Sequence, residues 1–159
     1  MSKKSSKKSK SDWLIANNKK AYHEYHVLEQ FKAGIMLTGS ETKSIRAGKV
    51  SMSDAHARIL NGEVFLHGLN ISIYEQAGTN NHDPDRVRKL LLKKDEINKL
   101  KEKTKELGLT LIPLKLFFDR CWVKVDLGLC KGKKLHDKRA TKTEQDTKRQ
   151  IERSMKQFR

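Results

Sequence analysis

Cys121-Trp122-Val123-Lys124-Val125-Asp126-Leu127-Gly128-Leu129 decides the fold. Cys121, Val123, Val125, Leu127 and Leu129 fall on one face and Trp122, Lys124 and Asp126 on the other. That period of two is a strand with one buried side. Upstream, Ala55, Ala57 and Ile59 approach Asn61-Gly62, and Val64 and Leu66 leave it. Asn-Gly accepts the positive φ angles of a type I′ turn, so residues 54–68 read as a hairpin. Further strands are predicted at residues 22–31, 34–38 and 109–118, the last with Pro113 marking an edge or bulge.

Two helices interrupt these strands. Residues 93–107 place Ile97, Leu100 and Leu107 on one stripe, with Asp95 and Glu96 early, Lys101, Lys103 and Lys105 late, and Gly108 just beyond. Those charges complement the helix dipole, and Gly108 suits the end cap. A shorter helix is predicted to open at Ser40 and to stop before Gly48. The expected fold is therefore mainly β with helices (α+β): an OB-like closed antiparallel barrel of about six strands, with two or three helices. A sandwich is the alternative, and strand count alone does not separate the two.

The net charge of +16 over 159 residues is concentrated at the ends. Residues 1–20 carry seven Lys against Asp12, and residues 131–159 carry eleven basic against four acidic residues. The middle holds 17 basic and 14 acidic residues, an ordinary balance. This partition predicts a basic disordered tail over 1–17, a barrel over 18–130 and a basic tail over 131–159. It is also the footprint of a polyanion binder.

Membrane as the polyanion is disfavoured, because the first tail has no apolar face, no lipidation signal follows Met1, and no window holds the roughly 18 apolar residues of a span. A soluble cytoplasmic protein is expected, with nucleic acid as partner. Cys121 and Cys130 form neither a disulfide framework nor a metal knuckle, and read as buried thiols.

The candidates for chemistry are His23, Glu24 and His26, then His82 with Asp83, then His136 with Asp137. No HExxH, Walker loop or GxSxG elbow accompanies them, so no enzyme, metal or cofactor is expected. Arg86 and Arg88 follow the Asp83-Pro84 turn and extend to one side, an arrangement suited to phosphates. In the last thirty residues Ile151, Met155 and Phe158 recur as a narrow helical stripe amid basic residues. Such a stripe does not support a helix in water by itself, but suits folding against RNA or a ribosomal groove.

The stretches Asn18-Lys19-Lys20-Ala21, His23-Glu24-Tyr25, Ala33-Gly34-Ile35, Gly39-Ser40-Glu41-Thr42-Lys43-Ser44-Ile45-Arg46-Ala47-Gly48-Lys49, Asp83-Pro84-Asp85-Arg86, Arg88-Lys89-Leu90-Leu91-Leu92 and Gly132-Lys133-Lys134-Leu135-His136-Asp137-Lys138-Arg139 resemble the small protein B family of SsrA-binding proteins. They occur in that family's order and cover nearly the whole chain from Asn18. The resemblance implies an OB-like barrel that binds the tRNA-like domain of transfer-messenger RNA. It also implies a tail that folds as a helix in the empty mRNA channel of a stalled ribosome. Elongation factor Tu with GTP would deliver the complex for trans-translation, with peptide transfer left to the ribosome and the protein acting as a monomer.

By the same resemblance the RNA face comprises Asn18, Lys19, Lys20, His23, Tyr25, Gly34, Glu41, Lys43, Ser44, Arg46, Lys49, Arg86, Arg88 and Lys89. The ribosome-binding tail comprises Lys131, Gly132, Lys133, Lys134, Asp137, Lys138, Arg139, Ile151 and Met155. Lysines and arginines would attract phosphates while His23 or Tyr25 stacks on a base. The chain departs from the family pattern at Lys32, where many members carry Glu, and at Ser154, beside Met155, where an apolar pair is frequent.

Overall fold

The computed structural model describes residues 12–157. In chain order the elements are β1 (Asp12–Asn17), α1 (Lys19–Glu24), β2 (Tyr25–Ile35), α2 (Gly39–Arg46), β3 (Val50–Ser51), β4 (His56–Leu60), β5 (Glu63–His67) and β6 (Asn70–Ile71). A 3-10 turn (Glu75–Ala77) follows, then β7 (Arg88–Leu91), α3 (Lys94–Leu107), β8 (Thr110–Asp119), β9 (Trp122–Gly132) and α4 (Leu135–Gln157). Six strands close on themselves in the order β8, β4, β5, β7, β2, β9 and back to β8, every pairing antiparallel. The OB-like barrel is thus borne out.

The decisive alternation behaves as read: Val123, Val125, Leu127 and Leu129 are buried. Cys121 is the exception, lying exposed in the turn that Arg120 makes at φ 57°. Asn61 and Gly62 take φ 51° and 74°, and β4 and β5 pair residue for residue around them. Gly108 ends α3 in the left-handed region at φ 59°. Ile97 and Leu100 are buried under that helix, but Leu107 is 64% exposed and does not join them. The cap of α2 is Thr38 rather than Ser40: its hydroxyl accepts from the Glu41 N–H while the Glu41 carboxylate accepts from the Thr38 N–H.

Other expectations are corrected. Residues 22–31 are not one strand, because Lys19–Glu24 turns helical under the Asn18 cap, and β2 then runs unbroken across the two strands expected. Residues 12–17, assigned to a disordered tail, form β1 and pair with Lys115 to Asp119 of β8. The edge of β8 is thereby divided, with Leu111 on β4 and the C-terminal half on β1. Residues 1–11 of the expected tail lie outside the described residues.

Pro113 lacks an N–H, and the register of β8 against β9 shifts there. The Asn18 side chain and backbone use the carbonyls at this irregularity: Nδ2 donates to Pro113 O at 3.0 Å and N to Leu114 O at 2.8 Å. Nδ2 also donates to Met52 O at 3.1 Å, and Oδ1 accepts from Ala21 N at 3.0 Å. A six-residue helix cannot sustain itself. The α1 helix is held by this cap and by a second small core outside the barrel, in which Ala21 packs with Ile112, Leu114 and Cys130, flanked by Tyr22, Tyr25 and Val27.

Gly128 of β9 belongs to that contact, since a Cβ there would stand 2.8 Å from Leu114 Cδ1 and 3.0 Å from Cys130 Sγ. Replacing Gly128 by Val should cost about 1–3 kcal/mol in urea unfolding, as overpacking does. Gly132→Ala, with nothing within 4 Å of the added carbon, should change stability by under about 0.5 kcal/mol. Equal stability of the two variants would remove this packing constraint.

Candidate nucleic-acid interface

The short helix α2 follows the end of β2 and is turned so that Glu41, Ser44 and Ile45 point inward while Lys43 and Arg46 are exposed. Lys43 lies over the Tyr74 ring at 5.3 Å and Arg46 over the Phe118 ring at 5.9 Å. The orientation is set from beneath. Ser44 Oγ donates to Ser72 O at 2.6 Å, and the wholly buried Glu41 carboxylate receives two guanidinium groups. Arg88 Nε donates to Glu41 Oε1 at 2.8 Å, and Arg86 Nη2 to Oε2 at 2.7 Å.

Arg88 is itself fully buried, and its remaining N–H groups go to Leu69 O at 2.5 Å, Arg86 O at 2.8 Å and Pro84 O at 3.0 Å. Burial alone would raise the Glu41 carboxyl, but hydrogen bonds from Arg86, the Thr38 N–H and Arg88 outweigh it and hold the group at about 2. Burial lowers the Arg88 guanidinium from its usual value, and Glu41 opposes that shift. Arg88, expected to reach for phosphate, is spent inside the protein, whereas Arg86 pairs with Glu41 but keeps 38% of its side chain exposed.

The candidate RNA residues therefore differ in how far the fold leaves them free. Asn18, Glu41, Ser44 and Arg88 are buried and act as positioning residues, and Gly34 sits in β2 opposite Leu91, whose Cβ a Gly34 side chain would approach to 3.3 Å. Lys19, Lys43 and Arg46 are exposed, with no ion pair among the described residues. Lys20, Lys49 and Lys89 are paired with Asp54 at 3.0 Å, Glu75 at 3.0 Å and Glu63 at 2.5 Å. Such surface pairs are weak enough for phosphate to displace the carboxylate. His23 is half-buried, and Tyr25 rests against the small core under α1.

His82 is spoken for structurally, with Nδ1 at 2.9 Å from Ser40 Oγ and Nε2 at 2.9 Å from Ile71 O. Among the described residues no three His, Cys, Asp or Glu side chains gather as metal ligands. No helix there is long and apolar enough to cross a membrane.

Trp13 escaped the sequence reading, and Trp122, placed on the outward face of its strand, was not among the candidate site residues. They are 66% and 75% exposed, and Trp13 lies 6.1 Å from the Phe118 ring that Arg46 covers. A Trp-Leu-Ile run inside a supposed Lys-Ser tail was the signal available.

The tail residues also divide. Lys131 and Gly132 belong to β9. Lys133 ties the next element to α1, its N–H donating to Glu24 O at 2.9 Å and its ammonium to Tyr22 O at 3.1 Å and Thr141 Oγ1 at 3.2 Å. Asp137 accepts from the Lys134 N–H at 3.3 Å, as suits the start of a helix, and lies 3.7 Å from His26 Nε2. Lys134 and Arg139 are exposed and Lys138 half-buried. From residue 142 to 156 every position of α4 is exposed, Ile151 and Met155 included.

These features define a class: a small closed barrel of the OB type, whose rigid short helices and long basic helix present the cations of a polyanion-binding surface. The model of the SmpB protein family matches residues 15–157, and the chain belongs to that family. It is 52% identical over 143 residues to an SsrA-binding protein of Carboxydothermus hydrogenoformans, covering 90% of this chain and 96% of that protein. It is 53% identical over 146 residues to one of Syntrophobacter fumaroxidans, covering 92% and 91%. A solved chain from "tmRNA-SmpB: a journey to the center of the bacterial ribosome" superposes with a TM-score of 0.63 at 48% identity, over 76% of this chain and 85% of that one.

The carboxylate of Glu41 makes a pH test available. Its folded value, about 2, lies below the ordinary 4.5, so its stabilisation is complete above the ordinary carboxylate range and is lost as pH falls from about 4.5 towards 2. Glu41→Gln leaves Arg88 buried beside a neutral amide and should cost about 3–5 kcal/mol in urea unfolding at neutral pH. The difference between wild type and variant should narrow below pH 4. A loss under 1 kcal/mol, or a difference independent of pH, would remove the network from its structural role.

Proposed function

We propose that the protein binds the tRNA-like domain of transfer-messenger RNA through the surface around α1 and α2, and brings it to stalled ribosomes for trans-translation. The observation that carries this reading is the rigid presentation of Lys43 and Arg46 by a buried ion network in a chain of the SmpB family. Cations fixed in place lose little entropy on meeting phosphate, and the base stack falls to His23, Tyr25 or the exposed Trp13. Elongation factor Tu with GTP reaches the protein through the RNA, the protein acts as a monomer in the cytoplasm, and peptide transfer is the ribosome's.

The division of labour is part of the proposal. The barrel binds RNA, and α4 with Lys134, Lys138, Arg139, Ile151 and Met155 probes the mRNA channel where message is missing. Its exposed basic and apolar positions support such docking, because little of the helix is used within the chain. Ser154 weakens the apolar stripe, and Lys32 adds a cation to the barrel 5.6 Å from the Phe117 ring.

Changing Lys43 and Arg46 together to Ala should weaken binding to the tRNA-like domain and lower the slope of log affinity against log salt by about 1.5, the loss of two phosphate contacts. Unchanged affinity and slope would sink the assignment. A general RNA binder would be recognised in the same assay by equal affinity for any folded RNA of that length.

A chain truncated after Lys134 should keep its barrel, since none of the described side chains of α4, residues 135–156, is buried. It should bind the tRNA-like domain as before and fail to tag peptides on ribosomes lacking downstream mRNA. Asp137, Lys138 and Arg139 changed to Ala should reproduce much of the defect. Full tagging by the truncated chain, or an equal loss of RNA affinity, would show that α4 is not the sensor.

A further inference from the structure

A second cationic feature lies away from α2. A groove of about 500 Å³ runs between β4 and α3, lined by Arg58 and Leu60 on one side and Lys101, Thr104 and Lys105 on the other. Four of the five lysines of α3 fall into two pairs. Lys99 and Lys103 both hold Glu29 of β2, whose single carboxylate offsets one of their two charges within the fold. Lys101 and Lys105, one turn apart, are exposed in the groove, and neither they nor Arg58 has an ion pair among the described residues. Glu102 and Glu106 of the same helix do not line it.

A histidine pair lies at one end of the groove. His56 stacks on His67 with ring centroids 5.5 Å apart, and the buried Nε2 of His67 has no hydrogen-bond partner. Burial, then His56 and Arg58, lower the His67 imidazole below its ordinary value, which favours its neutral form. His56 and Thr110 also line the pocket beneath α1 that contains Lys20. The two depressions are thus neighbours that share these residues. The pocket beneath α1 also holds Glu24 and Asp54, the latter paired with Lys20, so of the two it is the groove between β4 and α3 that holds cations without an ion pair among the described residues.

We propose that this groove binds RNA phosphodiester backbone, extending the RNA held on the α1 and α2 surface, with Arg58, Lys101 and Lys105 as the contacting cations and Leu60 as an apolar wall against ribose. Three unpaired cations facing a concave wall suit a polyanion chain, which supplies negative charge along its length. The assignment rests on the reading that α1 and α2 bind the tRNA-like domain.

The test uses the full chain and a transcribed tRNA-like domain titrated over a range of salt. Arg58, Lys101 and Lys105 changed together to Ala should lower the logarithmic salt slope by about 2 and weaken binding at least tenfold, with unaltered thermal unfolding because all three are exposed. The charge-keeping triple, Arg58→Lys with Lys101→Arg and Lys105→Arg, should retain both slope and affinity. Wild-type slope and affinity in the Ala triple, while Lys43→Ala/Arg46→Ala lowers both, would overturn the groove and leave the α1 and α2 reading standing. Unaltered binding to this RNA with weakened binding to isolated small ribosomal subunits would assign the groove to ribosomal RNA and overturn the proposal equally. If neither set of variants moves the slope, both readings fall.

Discussion

The buried carboxylate of Glu41 is the constraint on which the arrangement depends. It receives Arg88 from β7, Arg86 from the approach to β7 and the N–H of Thr38, so one side chain joins α2, the end of β2 and the strand beside it. Arg88 completes the joint by donating to the carbonyls of Leu69, Arg86 and Pro84, the last of which also accepts from the Ile71 N–H. An ion pair this deep gives little net stability over an apolar replacement. Its directional hydrogen bonds fix an orientation, which apolar packing alone does less well. In this protein that orientation decides which side of an eight-residue helix turns its cations outward.

A second joint works by different means. Asn18 caps α1 and answers the carbonyls beside Pro113, and the small core of Ala21, Ile112, Leu114 and Cys130 fills the space between helix and sheet. Burial pushes the Cys130 thiol up to about 11, so it behaves there as a small apolar side chain. Lys133 then ties the exit of β9 back to α1. Through α1, the start of the long basic helix is registered to the barrel while the rest of that helix stays free of it.

The two joints leave the cations on separate supports. Lys43 and Arg46 sit on a helix immobilised by the core; Lys101 and Lys105 line a groove on α3; the cations of α4 stand on a helix with nothing buried beneath its last four turns. Surfaces of the first kind favour a preformed RNA shape. The last suits a partner that supplies the missing contacts itself.

Much of this was legible in the sequence because it depends on local chemistry. The period of two in β9, Asn61-Gly62 in the hairpin, Gly108 after α3 and Pro113 in β8 each announce a backbone geometry that few other residues permit. The separation of charge into a balanced barrel and a basic C-terminal region is likewise a property of the chain. The fate of the charged side chains was not legible, because it depends on pairs far apart in sequence: Glu41 with Arg88, 47 residues apart, and Asn18 with Pro113, 95 apart. Arg86 and Arg88 read as phosphate ligands until the fold supplies a buried carboxylate, and Trp13 read as tail until β8 offers it an edge. Sequence by itself determined the elements and the overall charge, since turn geometry and periodicity are local. Only the tertiary structure decided which cations face outward, since burial is settled by partners that the chain brings together from a distance.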